Sequence, residues 1–248
     1  DERLRAHRED LIYLTLSGDR HGGSALDYTV NSKVGLPYLN CAAAGDAPMN
    51  SPLPAWDVIA GQHVALGLLA AERQRSRTGK GQFVKLTLAD VALATMGHIG
   101  YLGEVMVNGT ERPPMGNDVY GAFGRDFESG DGGRVMIVGV SANQWQAILK
   151  ATGQEQAIAS LGASMGLDFN RDGDRYAGRE AICQLLEPWF AARDLATVTA
   201  QLEASGVCWG KYQTVSELVN TDIDCSTDNP LFEQVEQPGI GAYLMPHN

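Results

Sequence analysis

Polar residues dominate the first ten positions, and a continuous apolar run follows, Leu11-Ile12-Tyr13-Leu14-Thr15-Leu16. The pattern predicts a helix over Asp1–Asp10 and then a strand buried on both faces, as in the interior of a parallel sheet. Gly18 to Ser24 reads as a polar loop, and Asp27 to Pro54 as a segment of small residues and turns. Pro54 stands just before a long helix from Trp56 to Arg77. Its apolar positions (Val58, Ile59, Val64, Leu66, Leu68, Leu69) cover more than one stripe, so much of this helix is expected to be buried. A cationic tail, Glu72 to Arg77, suits the helix C-terminus, and Thr78-Gly79-Lys80-Gly81 breaks the helix.

Gln82 to Leu88 then reads as a strand and Ala89 to Val107 as a second apolar helix, with His98 expected to be a satisfied core histidine. From Asn108 the texture changes. Asn108-Gly109, Pro113-Pro114 and Gly116-Asn117 mark a long loop. A hairpin is expected from Tyr120–Phe127 and Arg134–Val140, turned by Gly130 to Gly133. Helices follow at 142–152, 174–192 and 194–204. Helix, strand and helix in the first part describe a layered α/β domain over residues 1–110, and 111–213 reads as a separate, smaller α+β domain. Residues 214–248 read as a segment returning toward the first domain. The chain starts without methionine inside an apparent helix and stops at Pro246-His247-Asn248 without a closing element, so a fragment of a longer protein, lacking both ends, is expected.

Composition narrows the function. An apolar share of 44%, 20% charged residues and 29 glycines fit a globular α/β protein. A net charge of -11 leaves no basic stripe for a nucleic-acid partner. It leaves room for a small anionic substrate. No apolar run is long enough to span a bilayer, so a membrane partner is not expected. Cys41, Cys183, Cys208 and Cys225 lie far apart without a CxxC pair, which points to reduced thiols, a cytoplasmic setting and no metal site.

The candidate chemistry centres on Gly79 to Asp90. A glycine turn feeds a short strand that delivers the Asp90 carboxylate to the start of an apolar helix, where the helix dipole favours negative charge. Such an aspartate is either a helix cap or a nucleophile. Gly79-Lys80-Gly81 lacks the spacing and Ser/Thr of a phosphate-binding P-loop. Arg73, Arg75 and Arg77 could meet phosphates, but a solvated helix end explains them.

Several segments together resemble the class III coenzyme A transferases: Arg20 to Asp46, Leu53 to Asp57, Thr78 to Gln82, Ala89-Asp90-Val91 and Gly116 to Phe127. Asp27 to Asn31, Tyr120 to Phe127 and Cys225 to Pro230 are similar to a subgroup that shifts CoA within one unsaturated diacid. The resemblance covers nearly the whole chain. It implies a partial Rossmann-like large domain plus a smaller α+β domain, with residues 1–110 the C-terminal part of the large one. It implies a family fold whose homodimers are interlocked rings, and CoA as part of the substrate rather than a cofactor. Asp90 then matches the catalytic aspartate, which would take up CoA as an aspartyl thioester and return it to the opposite carboxylate. Gly116 to Gly124 is the candidate loop of oxyanion donors, with Gly116, Asn117, Tyr120 and Arg125 as candidate substrate contacts.

Three alternatives stand beside this reading. One is an intermolecular transferase for another dicarboxylic acid. The second is an enzyme like the α-methylacyl-CoA racemases, which share the fold and move protons with a His, an Asp and a Glu. The histidine position falls at Leu26 and the glutamate position near Ala142, which disfavours that activity. The third is an inactive structural fragment.

Overall fold

The structure, a computed structural model, describes residues 2–247, and the chain divides between Gly116 and Asn117 into two compact units. The first unit runs α1 (Glu2–His7), β1 (Tyr13–Ser17), α2 (Asp27–Lys33), α3 (Leu36–Leu39), α4 (Ala55–Thr78), β2 (Phe83–Thr87), α5 (Leu88–His98) and α6 (Tyr101–Asn108). β1 and β2 pair in parallel, from Tyr13 opposite Phe83 to Ser17 opposite Thr87. A parallel pair needs a long crossover, and α4 lies in that connection.

The expected deep burial of α4 is corrected by the structure. Only Trp56, Ala60 and Ala71 of its residues are buried, whereas Leu66 and Leu69 are 65% and 67% exposed. On the side facing β1 and β2, Gly67 leaves room in which an added Cβ would make ordinary contact with Leu14 and Val84 at 3.6 Å, and Ile59 is half-buried against the core.

Where α4 starts, its capping group comes from another helix. Pro54 offers no side-chain cap; instead the buried Asp27 carboxylate of α2 accepts the N–H groups of Trp56 (2.7 Å) and Asp57 (3.1 Å). Asn31, one turn further along α2, accepts the Trp56 indole N–H at 3.0 Å and donates to Asn50. These bonds fasten α2 to α4 above a small core of Val30, Trp56, Leu88, Val91 and Met96. The region between Asp27 and Pro54, read as a segment of small residues and turns, holds two short helices.

α4 ends at Gly79, whose φ of 72° is the left-handed conformation of a helix C-cap. Gly81 has a different reason to be glycine. Its N–H donates to the Glu9 carbonyl at 2.9 Å, and a Cβ there would sit 2.0 Å from the Leu11 carbonyl oxygen. The apolar helix expected over Ala89–Val107 is two helices, because Gly100 turns the chain at φ 90° between α5 and α6. That break leaves His98 exposed in the last turn of α5, where a helix C-terminus suits a basic residue; it is not a core histidine.

The second unit carries β3 (Phe123–Glu128), β4 (Arg134–Gly139), α7 (Ala142–Thr152), α8 (Glu155–Met165), α9 (Asp172–Ala177), α10 (Arg179–Ala191), α11 (Leu195–Ala204) and β5 (Cys208–Lys211). It continues with α12 (Val215–Thr221), a short 3-10 turn, and the antiparallel hairpin β6 (Phe232–Gln237) and β7 (Gly241–Pro246). β3, β4 and β5 form one antiparallel sheet with β4 in the middle. The alternate positions Val135, Ile137 and Gly139 of β4 are buried, and Phe123, Phe127, Trp145, Ile182 and Phe190 complete the core. Phe127 stacks on Phe190 with ring centroids 4.3 Å apart. The hairpin stands as expected, with β5 as an added third strand. The single helix expected over 174–192 is broken at Gly178, where a Cβ would lie 2.6 Å from the Phe169 ring.

Candidate active site

Asp90 lies in the first turn of α5, directly beyond β2. It is not the cap of that helix. Thr87 is: its hydroxyl accepts the Asp90 N–H at 3.0 Å. Thr87 is itself buried and the last residue of β2, so strand and cap together fix where the Asp90 backbone sits. The Asp90 side chain is exposed, and no hydrogen bond or ion pair among the described residues engages its carboxylate. The neighbouring strand end closes the corner: the Ala89 N–H donates to the Gly18 carbonyl at 3.1 Å. Gly18 opens the loop after β1, where Asp19 accepts the N–H groups of His21 and Gly23, both at 2.8 Å. Backbone bonds to Asp19 hold its carboxyl below the ordinary carboxylate range. Asp90 and this loop thus occupy the carboxyl ends of two adjacent parallel strands, the edge where open α/β sheets bind ligands.

Of the expected substrate contacts, Gly116 belongs to the first unit and Asn117, Tyr120 and Arg125 to the second. Gly116 adopts φ 52° and packs against Ala42, and its N–H donates to the Cys41 carbonyl at 3.1 Å. Asn117 donates to the Asp126 carboxylate at 2.9 Å. Two further N–H groups of the glycine loop are also engaged, Val119 with Gly124 and Ala122 with Val119.

Arg125 sits in a four-residue charge cluster. The Nε edge of its guanidinium clasps Asp118 at 2.6 and 2.8 Å, and its outer fork clasps Glu180 at 2.8 and 2.5 Å. Arg179 reaches the other side of Asp118 at 2.9 Å and stacks on the Tyr176 ring, which in turn meets Tyr120 edge-on. Burial pushes the Asp118 carboxyl up, but the hydrogen bonds from Arg125 and Arg179 outweigh it and hold it below its usual range. The nearby Cys183 thiol is pushed up to about 12 by burial. The cluster joins the loop at Asp118 to β3 and α10, and their sequence separation gave no sign of it. The Thr87 cap, in contrast, has a visible signature: Thr followed three residues later by an acid, just before an apolar run.

Cavities lie elsewhere among the described residues, two of them beside the hydrophobic cores. One of about 290 Å³ sits in the first unit beside Val34, Met96 and Leu102, and one of about 450 Å³ in the second beside Trp145, Ile158 and Phe169. Neither is lined by Asp90 or Arg125. Among the described residues no cluster of His, Cys, Asp or Glu is arranged to hold a metal ion, and no helix is long and apolar enough to cross a membrane. Leu26, 68% exposed ahead of α2, and Ala142, at the start of α7, carry no group that transfers a proton.

An exposed aspartate thus stands at the carboxyl end of a parallel strand pair in a mixed helix-and-strand chain, and comparison with known proteins makes the class specific. The family model described as CoA-transferase family III matches residues 1–248, and the chain belongs to that family. It is 54% identical over 245 residues to 2-methylfumaryl-CoA isomerase of Chloroflexus aurantiacus, covering 99% of this chain and 60% of that protein. It is 26% identical over 254 residues to succinyl-CoA:mesaconate CoA-transferase of Haloarcula hispanica, covering 98% of this chain and 60% of the relative. The chain therefore spans about 60% of the length of these curated relatives. Among solved structures, a CaiB/BaiF family protein from Brucella suis matches with a TM-score of 0.72 at 21% identity, over 97% of this chain and 61% of that one. A Mycobacterium tuberculosis protein matches with a TM-score of 0.76 at 20% identity, over 100% and 64%. These two likenesses establish the class III fold.

Proposed function

We propose that this chain carries the nucleophile of an intramolecular CoA transfer, which moves CoA between the C1 and C4 carboxylates of 2-methylfumaryl-CoA. The observation that carries the reading is Asp90, exposed and unengaged in the first turn of α5, with its backbone held by the Thr87 cap. The 54% identity to 2-methylfumaryl-CoA isomerase supports the choice of substrate.

The Asp90 carboxylate attacks the substrate thioester carbonyl, forming a mixed anhydride and releasing the CoA thiolate. The thiolate attacks the Asp90 carbonyl carbon, giving an aspartyl-CoA thioester and the free diacid. The other carboxylate of the diacid attacks that thioester, breaks its acyl–sulfur bond to release the CoA thiolate again, and re-forms a mixed anhydride. The thiolate then attacks the acyl carbon of the diacid, and Asp90 leaves as a carboxylate. Every step exchanges one acyl–oxygen or acyl–sulfur bond for another, with no net proton or electron change. Gly116, Asn117, Tyr120 and Arg125 are the proposed substrate contacts. The enzyme acts as a homodimer in the cytoplasm, with CoA entering only as part of the substrate.

The test incubates the protein, prepared at the full length of its relatives, with 2-methylfumaryl-C1-CoA and separates the two regioisomers chromatographically. Conversion without added free acid is the expected result. Transfer only to a separate acid would point to the intermolecular reaction named for the Haloarcula relative and would defeat the intramolecular claim.

A further inference from the structure

We propose that Glu180 is a resident stand-in for a ligand carboxylate on Arg125: it occupies the outer guanidinium fork in the free protein and yields it when a carboxylate ligand arrives. The inference rests on the reading that the substrate is a diacid, and it concerns the second unit alone.

Arg125 holds two carboxylates by its two edges, and their surroundings differ. Asp118, on the Nε edge, is 11% exposed and pinned from the far side by Arg179, so it cannot leave without stranding two guanidinium groups. Glu180, on the outer fork, is 63% exposed at the start of α10. Its contact with Arg179 is a distant 3.9 Å. Releasing Glu180 to water therefore uncovers no buried partner other than Arg125 itself. The Glu180 pair is bidentate, but its carboxylate is open to water and its long side chain loses rotamer freedom, so its net worth falls below that of the less exposed Asp118 pair. With Glu180 swung out, Asp118 balances one of the two arginines, and one positive charge remains. That charge sits on a planar two-donor fork, the geometry that matches a carboxylate.

Such an arrangement has a physical use in a chain with a net charge of -11. An uncovered guanidinium held on the sheet edge would draw in any small anion, and the tethered Glu180 keeps the fork closed to weak competitors. A ligand fixed by other contacts presents its carboxylate at high effective concentration and displaces the glutamate.

Calorimetric titration of free 2-methylfumarate into the wild-type protein and into Glu180→Gln, at one fixed ionic strength, tests the proposal. Glu180→Gln removes the competing charge at an exposed position and is expected to bind about threefold to fivefold more tightly, the size of an exposed ion pair. Arg125→Lys keeps the charge without the fork and is expected to lose that gain in the Glu180→Gln background. Unchanged or weaker binding by Glu180→Gln would overturn the stand-in role, as would a gain that survives Arg125→Lys. The outcome is separable from the transferase reading. Asp90→Asn should leave this binding response intact while removing CoA transfer, and transfer that persisted in Asp90→Asn would sink the transferase mechanism without touching Glu180.

Discussion

The most informative perturbation of the scaffold is Asp27→Ala. The Asp27 carboxylate is 4% exposed and accepts two backbone N–H groups, at 2.7 and 3.1 Å, at the start of the 24-residue helix α4. Its removal deletes an N-cap, worth about 0.5–2 kcal/mol, and a negative charge at a partly buried helix terminus, worth up to about 2 kcal/mol. It also leaves the buried Trp56 N–H without a partner, so the combined loss should be about 2–4 kcal/mol. With a urea slope of about 2 kcal/mol per molar, the unfolding midpoint should fall by about 1–2 M. Equilibrium unfolding followed by circular dichroism reads this loss, and hydrogen exchange at the Trp56 and Asp57 amides localises it. Asp27→Asn keeps an acceptor oxygen and loses the charge, so its loss should be about half as large. An alanine variant within about 0.5 kcal/mol of wild type would refute the remote-cap account, since ordinary surface changes fall in that range.

Three further outcomes follow from the same geometry. Thr87→Val should destabilise the first unit by about 1 kcal/mol and lower the transfer rate, whereas Thr87→Ser should restore both, because only the hydroxyl holds the Asp90 N–H; calorimetry and the regioisomer assay read the two effects. Gly81→Ala forces a Cβ to within 2.0 Å of the Leu11 carbonyl oxygen, so strand or helix end must shift. A loss of about 1–3 kcal/mol in thermal or urea unfolding is expected, as for an overpacked site. Because the folded state holds the Asp118 carboxyl below its ordinary value, its ion pairs add stability above the unfolded carboxylate pKa of about 3.9. That stability is lost as pH falls through the lower folded value. The unfolding midpoints of wild type and Asp118→Asn should therefore differ at neutral pH and converge in acid; a constant difference across the range would contradict the pairing.

Long periodic stretches were legible in the chain. The pattern around α4, expected from Trp56 to Arg77, appears as Ala55–Thr78, and the strand read over Gln82–Leu88 appears as Phe83–Thr87. What the pattern could not convey was which face of α4 meets the strands. Gly67 lies against Leu14 and Val84, while Leu66 and Leu69 stay exposed. Short helices were missed where small or polar residues hid them. α8 contains Gly162, where a Cβ would sit 2.8 Å from the Leu167 carbonyl oxygen, so the residue that looks like a breaker makes room for the chain folding back at the helix's own C-terminal end. At the site, local sequence revealed the aspartate at the strand-to-helix corner but not the division of labour between Thr87 and Asp90. The Arg125 partners, Asp118 and Glu180, come from a loop and a helix far apart in the chain, and only folding joins them.

The central claim is that the Asp90 carboxylate itself carries the acyl exchange. Its most direct test follows heavy oxygen from the substrate to the protein. 2-Methylfumaryl-C1-CoA labelled with heavy oxygen in its free carboxylate is turned over by the protein prepared at its relatives' full length, and the peptide containing Asp90 is weighed by mass spectrometry. The account predicts that this peptide gains one heavy oxygen in a single turnover and at most two over many, because the bridging oxygen of the last anhydride stays on Asp90 when the thiolate attacks the diacid carbon. Complete regioisomer exchange with an unlabelled Asp90 peptide would contradict it.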